Sequence, residues 1–288
     1  MRRRGEIRAA AAIAAAAVGP GIVTGRETAG FFSQTAGSAW LGIVCAGTLF
    51  GLLAAGLLRL QKSTGARSLL QLRRRMPGAG GTAVCAFHGL ILAAVMFLTL
   101  TSAWEIGALL LPFHGGGAAG AGIALLLAIG ILLLPMDAQI RACAANLALV
   151  LLFEAALAAF GKLPAASGTY AAVDLRLAGS NPAAVLLGAI HASLRVCIAA
   201  NAVLRFAEPG ARPLRTGLRA GGCYAACLAV GNFAICRQSD FVAALRMPLT
   251  VLATGWGRFG FYTVALLTFF ASVIGLYAAL LAFFDVKL

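Results

Sequence analysis

Two stretches of the chain, Ala39–Leu58 and Phe259–Phe284, contain no charged residue. Each is long enough to cross the roughly 30 Å hydrocarbon core of a bilayer as a helix, which takes about 20 residues. A helix of that length in a water-soluble fold needs a charged face, and neither stretch has one. They also lack the strict polar/apolar alternation of a membrane barrel strand. Eight runs meet the length requirement, at about 9–33, 38–58, 82–111, 117–136, 142–161, 182–204, 217–236 and 259–284. Composition agrees: 61% of residues are apolar and 11% charged, against about 25% charged in soluble domains. The expectation is an all-α polytopic membrane helix bundle, a single transmembrane domain over 1–288. The longest segments between spans are 59–81, 162–181 and 237–258. The last two are expected to carry short surface or re-entrant helices, such as 240–252.

The remaining charge is lopsided, with 23 Lys and Arg against 9 Asp and Glu. Most of these cations fall between apolar runs, where they report orientation and contact with anionic lipid rather than with nucleic acid. With the N-terminus in the cytoplasm, sixteen Lys and Arg residues fall on the inner side and five on the outer, while Arg26 and Arg195 lie within spans. That bias predicts both termini in the cytoplasm. The basic loop 59–75, with Arg73-Arg74-Arg75, is expected to lie against anionic lipid. The arginine-rich start followed by alanines has the outline of a signal peptide. The apolar run continues past Gly19-Pro20-Gly21 to Phe31-Phe32, so an uncleaved first helix is expected. Seven cysteines form no Cys-x-x-Cys and are expected to be free thiols. Nucleotide-binding, hydrolase and metalloprotease motifs are absent, so no enzymatic activity and no cofactor are expected.

The most informative segment is Val18-Gly19-Pro20-Gly21-Ile22-Val23-Thr24-Gly25-Arg26-Glu27. Proline removes a backbone donor and clashes with the preceding turn. In lipid the freed carbonyls need other partners. The segment is therefore either a plain kink or a broken helix, unwound around Gly19–Ile22, whose carbonyls can hold a cation. Glu27, Glu105 and Glu154 lie within spans, nearly balanced by Arg26 and Arg195. Each must face protein or water, or reach the interface. Glu105 and Glu154 stand about two turns from an outer end and read as snorkelling. His191 and Arg195, four residues apart, share one helix face, and the near balance of acids and bases suggests internal pairing.

Gly-x-Gly-x-x-x-Gly-x-Glu followed by Phe31-Phe32 resembles the first helix of the YkvI-like family of bacterial membrane proteins. Asn146 with the apolar run after it, and Met247-Pro248-Leu249 leading to Tyr262, look similar too. That family belongs to the amino acid–polyamine–organocation superfamily, whose members have the LeuT fold. The resemblance implies a bacterial inner membrane and a shortened LeuT-like core of about eight helices, lacking the last two of ten. It implies a secondary transporter of a small organic solute, of amino-acid or amine type, coupled to Na⁺ or H⁺ by alternating access. The substrate site implied is Gly19, Gly21, Glu27, His191 and Arg195, with the His191/Arg195 face meeting Glu27 where the first and sixth spans cross and Arg26 as a competitor for both roles. The implied ion ligands are the Gly19 and Ile22 carbonyls with the Thr268 and Ser272 hydroxyls. The alternative is a non-transporting membrane receptor similar to spore-germinant receptor subunits. A homo-oligomer, or a partner chain supplying helices, would complete the bundle. Divalent-metal transporters of the superfamily open similarly, but they use a methionine ligand in helix six. No Met lies between Asp137 and Arg246, so no metal is expected.

Overall fold

The computed structural model describes residues 2–75, 79–111, 114–161, 181–207, 211–237 and 247–281. Among these residues every regular element is helical. The first apolar run is divided into α1 (Arg2–Ala17), α2 (Pro20–Val23) and α3 (Arg26–Phe31), followed by a 3₁₀ turn over Ser33–Ser38. The rest comprises α4 (Ala39–Thr64), α5 (Leu69–Arg75), α6 (Ala79–Leu110), α7 (Gly116–Leu133), α8 (Met136–Phe160), α9 (Asn181–Arg205), α10 (Pro213–Cys236), α11 (Pro248–Thr254) and α12 (Gly257–Leu280). Seven of these helices are long and apolar enough to cross a membrane. With the interrupted first segment they account for the eight expected runs.

Helix ends depart from the hydropathy limits in an instructive way. α4 runs six residues past Leu58, and α8 starts six residues before Ala142. Hydropathy marks where lipid ends, whereas backbone bonding continues until a stop signal. For α4 that stop is Gly65, whose N–H donates to the Gln61 carbonyl at 2.6 Å. Of the short helices expected in the connections, 162–180 and 240–246 lie outside the described residues. Pro248–Thr254 is helical, with proline at its first position.

The first helix breaks twice, not once. α1 ends at Ala17 because Pro20 offers no N–H to the Ala16 carbonyl. Gly19 is extended, with φ −99° and ψ 179°. Proline at a first helical position starts a helix as readily as it stops one. Ile22, expected to be unwound, therefore lies inside α2, and the unwinding is confined to Val18–Gly19. The second break is at Thr24–Gly25. Gly25 has φ 77°, a left-handed conformation that strains other residues. Here the Leu249 N–H, an orphan of the first turn of α11, donates to the Thr24 carbonyl at 3.1 Å.

Burial sorts the helices into centre and rim. In the span of α12, 78% of residues are buried, against 17% in that of α6. α1 is buried along almost all of Ala9–Val18 and packs against α8, α9, α10 and α12. Its run of alanines lets four neighbours approach closely. Glycines make the tightest seams, in which α4 meets α9 at Gly42 and Gly188, and α10 at Gly47/Gly221 and Gly51/Gly217. None of the seven cysteines is in a disulfide.

Candidate functional site

Glu27 lies in the first turn of α3, immediately past the second break. Its Oε2 forms an ion pair with Arg195 Nη2 and lies 3.2 Å from His191 Nε2. The expected spacing holds: His191 and Arg195 project from one face of α9 onto the same carboxylate oxygen. His191 and Arg195 are buried, while the Glu27 side chain keeps 28% of its surface. The pair is thus reachable from the Glu27 side only. Arg26, the expected competitor, is exposed and makes no ion pair among the described residues.

The two glycines flanking Pro20 make room for this pair. A Cβ at Gly19 would stand 3.0 Å from Arg195 Nη1, and one at Gly21 would collide with the Glu27 carboxyl group. The Gly-Pro-Gly segment therefore does two things. It interrupts the helix, and it provides a surface without side chains against which both charged groups rest.

Tyr224 of α10 completes the cluster. Its hydroxyl is 2.6 Å from His191 Nδ1. If the hydroxyl donates to Nδ1, the imidazole carries its proton on Nε2 and donates to Glu27, so one neutral tautomer satisfies both contacts. Phe31 and Phe32 flank the imidazole with ring centroids at 4.7 and 5.2 Å, and Phe50 stacks on Tyr224 at 4.8 Å. Sequence reading passed over Tyr224. The available signal was a phenol in mid-span, a group that seeks a partner when buried.

The four expected ion ligands sit on adjoining elements, since α12 packs against α2. Thr268 Oγ1 donates to the Val264 carbonyl at 2.7 Å, and Ser272 Oγ donates to the Thr268 carbonyl at 2.9 Å. The Gly19 carbonyl accepts from Ile22 N–H at 3.0 Å, and the Ile22 carbonyl accepts from Gly25 N–H at 2.9 Å. All four groups are thus engaged locally, the Gly19 carbonyl twice over, since it also accepts from Val23 N–H at 3.4 Å. Among the described residues, the carbonyls that receive no backbone N–H at the first break are those of Ala16, Ala17 and Val18. The i−4 rule applied to Pro20 already points to Ala16.

Glu154 corrects the snorkelling expectation, because it is fully buried and neither carboxyl oxygen has a hydrogen-bond partner among the described residues. A Cβ at Gly231 would lie 3.4 Å from its Oε1, and the Leu249 side chain is adjacent. Glu105 is exposed. The difference is azimuth: α8 packs against α1 and α10, so a residue near its end still points into protein. Burying a polar group without a partner costs free energy. Glu154→Met, similar in volume, is therefore expected to hold or raise the thermal midpoint of the detergent-solubilised protein. A fall of several degrees would show that the carboxyl holds a partner.

No protein-family model, curated protein or solved structure matches this chain.

Proposed function

We propose that this chain is a secondary transporter of a small organic solute of amino-acid or amine type, coupled to Na⁺ or H⁺ and working by alternating access in a bacterial inner membrane. The observation that carries the reading is the Glu27–Arg195 ion pair resting on a twice-broken membrane helix. Ionised groups within a membrane span are costly and mark solute or ion paths. Interrupted helices allow such paths to be lined by backbone. A zwitterion suits the pair best. Its carboxylate takes the Arg195 guanidinium while its ammonium takes Glu27, so the pair opens without leaving either charge alone. His191 and Tyr224 hold the carboxylate in place during that exchange, and Phe31 and Phe32 wall the site.

The second reading is a receptor that binds a solute without moving it. It is favoured by the bundle's eight segments, two short of the ten in the resembled fold. The charge bias supports cytoplasmic termini. The apolar face of α6, with Phe87, Leu90, Phe97 and Leu98 exposed, is available to lipid, a second copy or a helix-supplying partner.

The test is uptake of radiolabelled amino acids and amines into proteoliposomes, with and without inward Na⁺ and H⁺ gradients. Gradient-driven accumulation of at least one solute is expected, and it should be lost in Glu27→Gln. Saturable solute binding with no accumulation under any gradient overturns transport in favour of the receptor.

A further inference from the structure

A cavity of about 510 Å³ lies away from the Glu27 cluster, between the ends of α4, α8, α9 and α10. This is the end of the bundle that the charge count assigns to the cytoplasm. Its floor is apolar, formed by the buried side chains of Leu58, Ile140 and Phe206. Among the described residues that line the cavity, Lys62, Arg67 and Arg205 stand against a single acid, Asp137. None of the three cations forms an ion pair with an acid among the described residues. Arg205 spends one N–H on Gln139 Oε1, at 3.2 Å, and keeps the other donors of its fork.

Two further features point to an anion. The first turns of α8 and α10, helices of 25 and 24 residues, border the cavity, and neither has a side-chain cap. Their unpaired N–H groups and dipoles favour negative charge. Independently, Thr216 lines the cavity, and its buried hydroxyl has no hydrogen-bond partner among the described residues. A buried hydroxyl is normally satisfied, so this one has a donor unspent beside the cavity.

We infer that this cavity binds a phosphate group, with Arg205, Lys62 and Arg67 as the charged contacts and Thr216 as a neutral donor. The carrier of the phosphate is a small glycerol-type ester, either free in solution or as the headgroup of an inner-leaflet lipid, because an apolar floor beneath a cationic rim suits an ester better than a bare ion. The volume falls within the ordinary range for small-ligand sites. The inference stands whether or not the protein transports.

The full chain in phosphatidylcholine nanodiscs is titrated calorimetrically with glycerol 3-phosphate, and phosphatidylglycerol retained by the detergent-purified protein is counted by native mass spectrometry. At least one of the two is expected to bind. Arg205→Gln and Lys62→Gln should each weaken it tenfold or more, and Thr216→Val, which keeps the volume, severalfold. Arg215→Gln, an exposed cation of α10 outside the cavity, should leave binding unchanged. A free ester as the source gives binding of glycerol 3-phosphate that is unaffected when the nanodisc lipid is changed to phosphatidylglycerol. A lipid source gives phosphatidylglycerol retention, with binding of the soluble ester competed away in that nanodisc. Absence of both, or equal losses in Arg205→Gln and Arg215→Gln, overturns the site.

Discussion

Glu27→Gln is expected to be the most damaging charge substitution in the chain. It leaves the Arg195 guanidinium buried beside an amide, with its only carboxylate partner among the described residues gone. Removing one member of a buried pair typically costs about 3–5 kcal/mol. Arg195→Gln should cost less, because Glu27 keeps part of its surface and its contact with His191. The double variant should then recover part of the loss, since neither charge is stranded. Thermal unfolding in detergent for the wild type, both single variants and the double variant measures the coupling. Strictly additive losses, or Arg195→Gln worse than Glu27→Gln, would remove the pair from its central place. Uptake measured on the same four proteins separates stability from function: the double variant should regain folding without regaining transport.

A neighbouring pair of glycines gives the second large effect. Gly221→Val should abolish folding, while Gly222→Val, one residue on, should be tolerated. A Cβ at Gly221 would run into the Gly47 carbonyl of α4, and a Cβ at Gly222 meets nothing within 4 Å. At Gly221 the obstacle is backbone, which cannot swing aside as a side chain can. Overpacking costs about 1–3 kcal/mol where side chains can yield, and more where they cannot. The same contrast separates Gly188, set against the Gly42 backbone, from Gly89, which faces open space. The yield of folded protein after size-exclusion chromatography reads the difference directly. Equal yields for Gly221→Val and Gly222→Val would mean that α4 and α10 do not meet along this seam.

How much of this was legible in the sequence depends on the kind of signal. The spans were legible because length and the lack of charge decide whether a segment can live in lipid. The first break was legible because Pro20 cannot donate to Ala16. Its extent was not: proline also begins helices, so Ile22 is helical. The second break was hidden because Gly25 reads like any membrane-helix glycine until its φ is known. Glu154 shows the limit most plainly. Hydropathy reports depth along the membrane normal, and it says nothing about which way round the helix a side chain points. Tyr224 was missed for a related reason, since its partner lies 33 residues away in sequence. The Glu27–Arg195 pairing was expected from charge balance together with the resembled fold, and periodicity alone would not have found it.

The bond from Leu249 N–H to the Thr24 carbonyl joins two interruptions of the chain through main-chain atoms alone. An alanine scan leaves this tie in place, because every replacement but proline carries the same amide. Covariation between positions 24 and 249 would be silent for the same reason. The link between the broken first helix and the segment leading into α12 is thus invisible to the genetics usually used to map such links. Backbone chemistry reaches it: an amide-to-ester exchange at residue 249 deletes the donor while leaving every side chain untouched.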